Sequence, residues 1–130
     1  ENVKVLIPSE HNQADVDDIA IMEAIWQLVE KEKIYCDPEL TSDTLSKKLS
    51  VSLNAISKAL NTTQHKKFHT FINEFRISEA IRLMTDPSYD ILTINAIASE
   101  SGFNSRETFH RVFKAQTGIT PSQFRKNRVQ

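Results

Sequence analysis

Residues 93–114 read Thr93-Ile94-Asn95-Ala96-Ile97-Ala98-Ser99-Glu100-Ser101-Gly102-Phe103-Asn104-Ser105-Arg106-Glu107-Thr108-Phe109-His110-Arg111-Val112-Phe113-Lys114. Thr93 is a helix cap: its hydroxyl can accept an orphan backbone N–H of the first turn, and Ile94, Ile97 and Ala98 follow at helical spacing. Ser101-Gly102-Phe103 breaks that helix, and Asn104 or Ser105 opens the next, with Phe109, Val112 and Phe113 on one side and Gln116 flanking them. Two short helices joined by a tight turn are predicted. Thr120-Pro121, a cap followed by proline at the first helical position, starts one more.

The same arrangement stands earlier in the chain. Thr41 caps a short helix carrying Leu45 and Leu49, and after Ser50-Val51 a second helix opens at Ser52 and carries Ile56 and Leu60. Thr41 pairs with Thr93 at an offset of 52, and Ile56, Leu60, Phe68 and Phe71 pair with Phe109, Phe113, Pro121 and Phe124 at an offset of 53. A register kept over that length, with one inserted residue, is an internal repeat.

Between the repeats, residues 68–85 are apolar on two opposite sides. Phe68, Phe71, Ile72 and Phe75 share one face, while Ile77, Ala80, Ile81 and Met84 lie nearly opposite at about 100° per residue. A helix linking two small cores needs such a pattern. Upstream, a first helix is predicted over 17–34, with Met22, Ile25, Trp26 and Val29 as its core stripe, ending before Asp37-Pro38. Val3–Ile7 reads as a linker or leftover strand. The predicted class is therefore all-α: two helix-turn-helix subdomains joined by a long linker helix, about seven helices in all. The expected division is 1–16 as linker or the remainder of an upstream domain and 17–130 as the tandem domain. Within the latter, the first unit covers about 41–67, the linker helix 68–85 and the second unit about 93–129.

Composition limits what this chain can do. The 130 residues carry a net charge of -1, unusual for a nucleic-acid binder, but the distribution is uneven. Residues 1–44 hold eleven acids against three lysines, a balance of -8, so the remainder stands at +7. An acidic leader on a basic polyanion binder is implied. The lone Cys36 forms no internal disulfide, no Cys/His cluster has zinc spacing, and no apolar run is long enough for a membrane span, which together predict a cytoplasmic segment without membrane contact. The start Glu1-Asn2-Val3 lacks an initiator Met, so a longer protein with an upstream sensor domain is expected. His65 and His69 lie four apart without a third ligand, and no metal or other cofactor is expected. With no phosphate loop, nucleophile motif or paired acids, catalysis is not expected either.

In a helix-turn-helix the second helix enters the major groove, one face packed and the other offering hydrogen-bonding and cationic groups. The first unit offers Asn54, Ser57, Lys58 and Asn61; the second offers Arg106, Glu107, His110, Arg111 and Lys114. Across the repeat, Ser57 aligns with His110, Lys58 with Arg111 and Asn61 with Lys114. Arginine can fork onto guanine O6 and N7 and asparagine can pair with adenine. Glu107 either accepts from cytosine N4 or repels phosphate in wrong registers; both readings stand.

The string Ile94-x-x-Ile97-Ala98-x-x-x-Gly102-Phe103-x-Ser105-x-x-x-Phe109-x-Arg111-x-Phe113-Lys114-x-x-Thr117-Gly118-x-Thr120-Pro121-x-x-Phe124-Arg125 resembles the signature of the AraC/XylS family of bacterial transcription regulators. Phe71-Ile72-x-x-Phe75-Arg76-Ile77-x-x-Ala80 is similar to that family's linker helix, and the resemblance covers about 22–128. It implies sequence-specific binding of double-stranded DNA by the second helix of each unit, here Lys58 and Arg111 with their neighbours. RNA polymerase is an expected partner in the full-length context. The first unit departs from the pattern: Ser50 and His65 stand where the second has Gly102 and Gly118, so it is expected to be looser or differently turned. It also offers one cation where the second offers three. The rival reading is a helical protein-interaction module that kept the repeat and lost DNA binding.

Overall fold

A computed structural model describes residues 15–128. The stretch Val3–Ile7 lies outside them. Among the described residues the chain is all-α, with seven α-helices: α1 (Val16–Glu32), α2 (Ser42–Leu49), α3 (Leu53–Gln64), α4 (Phe68–Thr85), α5 (Ile94–Glu100), α6 (Arg106–Thr117) and α7 (Pro121–Arg128). Short 3-10 turns at Ile34–Cys36 and Pro87–Tyr89 complete it. Among these residues no helix is long and apolar enough to cross a membrane.

The short helices start where side chains satisfy their first N–H groups. Thr41 accepts from the Thr44 amide at 3.1 Å, Ser52 from Ala55 at 3.0 Å, Thr93 from Ala96 at 3.0 Å and Ser105 from Thr108 at 3.0 Å. Their ends repeat too. Val51 donates to the Ser46 carbonyl and Phe103 to that of Ala98, each at 3.0 Å, the six-to-one bond of a helix closing through a left-handed residue. That residue is Ser50, with φ 59°, in one copy and Gly102, with φ 104°, in the other. One helix later, His65 (φ 57°) and Gly118 (φ 86°) are again left-handed, each closing its helix by a five-to-one bond, to the Asn61 carbonyl at 3.1 Å and the Lys114 carbonyl at 2.8 Å.

The first unit is therefore not differently turned: its backbone adopts the same left-handed closures with residues that carry a Cβ, at about 1 kcal/mol each. Gly102 has a further reason to be glycine. A Cβ there would run into the Tyr35 carbonyl oxygen and the Arg76 Nε, whereas one on Gly118 would meet nothing within 4 Å.

The described chain forms two compact units. One comprises the residues up to Glu32 with Thr41–Phe71; the other comprises Lys33–Leu40 with everything from Ile72 onward. In the first, Met22, Ile25, Val29, Leu45, Ile56, Ala59, Leu60 and Phe71 are buried, and Trp26, half-buried, meets Phe71 edge-on at 5.4 Å. In the second, Ile77, Ala80, Leu83 and Met84 of α4 pack with Ile97, Ala98, Phe103, Phe109, Val112 and Phe113. Gln116 is exposed.

Helix α1 stops two residues earlier than its pattern suggests, because Lys33 turns left-handed at φ 49°. The segment beyond it is held by the buried Arg76, whose Nε donates to the Tyr35 carbonyl at 2.6 Å and whose second guanidinium nitrogen donates to that of Asp37 at 3.0 Å. Tyr35 stacks on Phe75 at 5.6 Å, and the Lys33 amine reaches Glu79 at 3.5 Å. This is why residues 33–40, which lie in sequence between two helices of the first unit, belong to the second.

Candidate nucleic-acid interface

Each unit fixes its second helix by burying one side of it. In α3, Ile56, Ala59 and Leu60 are at most 1% exposed, and the opposite side presents Asn54, Ser57, Lys58 and Asn61, all exposed. In α6, Phe109 and Phe113 are fully buried and Val112 nearly so. Arg106, Glu107, Arg111 and Lys114 face solvent, and His110, half-buried, sets its ring edge-on to Phe109 at 5.8 Å. Of the nine residues expected from the sequence, eight are thus exposed on these two helices and His110 is half-buried.

Their electrostatic states differ. Among the described residues no hydrogen bond or ion pair engages the side chains of Arg106, Arg111 or Lys114, so α6 carries three cations without counter-ions. Glu107 takes a hydrogen bond from the Ser105 hydroxyl at 3.3 Å in the first turn of α6, where a carboxylate is favoured by the helix dipole.

Lys58 is committed. Its ammonium lies 2.7 Å from a carboxylate oxygen of Asp15 and 3.1 Å from one of Asp18. Those two acids cap α1 reciprocally: the Asp18 amide donates to the Asp15 side chain at 2.9 Å and the Asp15 amide to that of Asp18 at 3.2 Å. The Thr62 hydroxyl donates to the same Asp18 oxygen at 2.9 Å. The Lys58 hydrogen bond holds the Asp15 carboxyl below its usual range, and Asp15 followed by Asp18 pushes the Lys58 ammonium up. Asp15, Asp18 and Thr62 were not among the residues expected here, and no local pattern announces a pairing across some forty positions.

Two other features complete the surface. Beside α3 a cleft of 630 Å³ runs from Ser57, Lys58, Asn61 and Thr62 to Lys66, Lys67, Phe68 and His69. In the second unit, part of the basic charge works internally. Arg125 donates to the carbonyls of Tyr89 and Asp90, and Arg128 pairs with Asp90 at 2.7 Å, tying α7 to the turn that follows α4.

The Helix-turn-helix domain family matches residues 45–127. An uncharacterised HTH-type transcriptional regulator of Staphylococcus aureus strain COL is 31% identical over 117 residues, 90% of this chain and 15% of that protein. The chain therefore spans a small part of the curated relatives of this kind. The C-terminal domain of AraT, a response regulator from Geobacillus stearothermophilus, superposes with a TM-score of 0.70 at 22% identity, over 87% of this chain and 86% of that one. The C-terminal domain of the two-component response regulator YesN from Fusobacterium nucleatum gives 0.67 at 26% identity, over 85% and 99%. With the signature over 94–125, the repeated caps and closures and the match across 45–127, the chain belongs to the AraC-type helix-turn-helix family of transcription regulators.

Proposed function

We propose that this chain binds double-stranded DNA sequence-specifically, with α3 and α6 each presented to a major groove, and that it does so to regulate transcription. The observation that carries this reading is the α6 face. Its inner side is locked into a core, and its outer side holds Arg106, Arg111 and Lys114 without counter-ions among the described residues. Unpaired cations on a rigid helix suit a polyanion, and arginine supplies the fork that guanine O6 and N7 accept. His110 and Glu107 flank them as further candidate base contacts. On α3 the neutral readers are Asn54, Ser57 and Asn61, with asparagine matched to adenine.

The family's role supports a cytoplasmic protein acting with RNA polymerase, and the small part of the relatives that the chain spans supports a longer protein with an upstream sensor. No catalytic role is assigned. A gel shift across a salt series tests the reading. Neutralisation of several phosphates makes log K fall linearly and steeply with log salt. Binding that ignores salt, or no retention of any duplex, would point instead to a protein-interaction module.

A further inference from the structure

We propose that Asp18 of α1 is a positioning residue for the first reading helix: it holds Lys58 and Thr62 of α3, with Asp15 as the second carboxylate, and Lys58 stays in that tie when DNA is bound. The inference rests on the DNA-binding reading above and says how its first unit works. The side chain of Asp18 is 3% exposed, against 48% for that of Lys58. Both Asp18 oxygens lie within hydrogen-bond reach of the ammonium, at 3.1 and 3.3 Å. The remaining partners of that carboxylate are the neutral Thr62 hydroxyl at 2.9 Å and the Asp15 amide at 3.2 Å.

Moving Lys58 to a phosphate would leave a buried carboxylate without its cation, and an uncompensated buried charge costs far more than one solvent-exposed phosphate contact returns. The ammonium therefore remains between the helices. The first unit meets DNA with Asn54, Ser57 and Asn61, and the start of α1 fixes how α3 presents them. By contrast, Arg111, which the repeat aligns with Lys58, has no such partner among the described residues.

The test uses the 130-residue chain and a duplex selected by it from a random pool. Lys58→Met should weaken binding about tenfold, Lys58→Arg should restore it to within about twofold, and neither should change the slope of log K against log salt. Asp18→Asn should weaken binding to a similar degree, and the double variant Asp18→Asn with Lys58→Met should lose little more than either alone. A slope shallower by about one in Lys58→Met would make Lys58 a phosphate contact and overturn the proposal. So would tighter binding by Asp18→Asn, the mark of a lysine released to DNA. If Lys58→Met does not fold, Asp15→Asn decides: an unchanged slope supports the tie, and a steeper one overturns it. A wild-type chain that binds no duplex in a salt-dependent way refutes the DNA-binding reading, while additivity of the two substitutions in chemical unfolding would refute the tie by itself.

Discussion

Arg111 and Lys58 occupy equivalent places in the repeat, yet among the described residues Lys58 is paired and Arg111 is not. That contrast sets the expected effect of Arg111→Ala: a loss of about 1 to 3 kcal/mol in specific binding, with relaxed preference at one base position. Titration against the selected duplex and its single-base variants checks this, and unchanged preference would remove Arg111 from the readers. The helix closures make a second comparison. Gly118→Ala forces a Cβ onto φ 86° in open space and should cost about 1 kcal/mol, whereas Gly102→Ala adds a collision with the Tyr35 carbonyl and Arg76 and should cost clearly more. Conversely, His65→Gly should stabilise the chain by up to about 1 kcal/mol, since φ 57° is relieved. Chemical unfolding of the three variants gives the ranking; equal losses at the two glycines would deny that Gly102 is sterically required. The glycines themselves were legible in sequence, because a left-handed residue at a helix end is local chemistry. What Gly102 touches was not, since Tyr35 and Arg76 come to it from distant positions.

At the scale of helices, what could be read beforehand was whatever each element decides for itself. Thr41, Ser52, Thr93 and Ser105 cap their helices because a hydroxyl next to an apolar run has few better partners. The two-sided pattern of α4 was readable for the same reason: Phe71, Ile72, Ile77, Ala80 and Met84 are buried, while Phe68, Phe75 and Ile81 are half-buried. The allegiance of residues 33–40 was hidden, because Arg76 holds that segment by backbone carbonyls, which any sequence supplies. The tie between α1 and α3 was hidden as well, since an Asp-Lys pair separated by forty positions leaves no periodic trace. Its pH dependence can be stated. Asp15 is held below its ordinary 3.8, so its contribution is fully present above that value and is lost as pH falls through the lower folded value. Lys58 is raised above 10.5, so its share persists below that value and is lost only as pH rises through the higher folded one. The stability gap between wild type and Asp15→Asn should therefore be constant near neutrality and shrink once the pH drops below about 3.8. Unfolding midpoints of both proteins along an acid series measure it; a gap that widens in acid would mean that Asp15 is not the titrating partner.

For the molecule as a whole, a net charge of -1 conceals a basic reading surface because the acids are concentrated toward the N-terminus. Asp15 and Asp18 neutralise a cation on α3, and Asp90 engages Arg128, while among the described residues the three cations of α6 stay unpaired. On the proposed reading, the two helices are related by sequence repetition but not in chemistry: α3 offers amides and a hydroxyl, with its lysine paired to Asp15 and Asp18, and α6 offers guanidinium and ammonium groups. Proteins that read DNA as symmetric dimers present the same face twice, and their sites are palindromes. A single chain presenting two unlike faces has no reason to select one. Duplexes enriched from a random pool should be asymmetric, with a guanine-bearing stretch matched to Arg106 and Arg111 and an adenine-bearing stretch matched to Asn54 and Asn61. Because the α6 face carries the charge, scrambling the guanine-bearing stretch should cost more affinity, and more of the salt dependence, than scrambling the other. Native mass spectrometry of the complex should find one chain per duplex. An enriched inverted repeat occupied by two chains would refute this asymmetry, and equal losses from scrambling either stretch would show that the neutral face of α3 contributes as much as the charged face of α6.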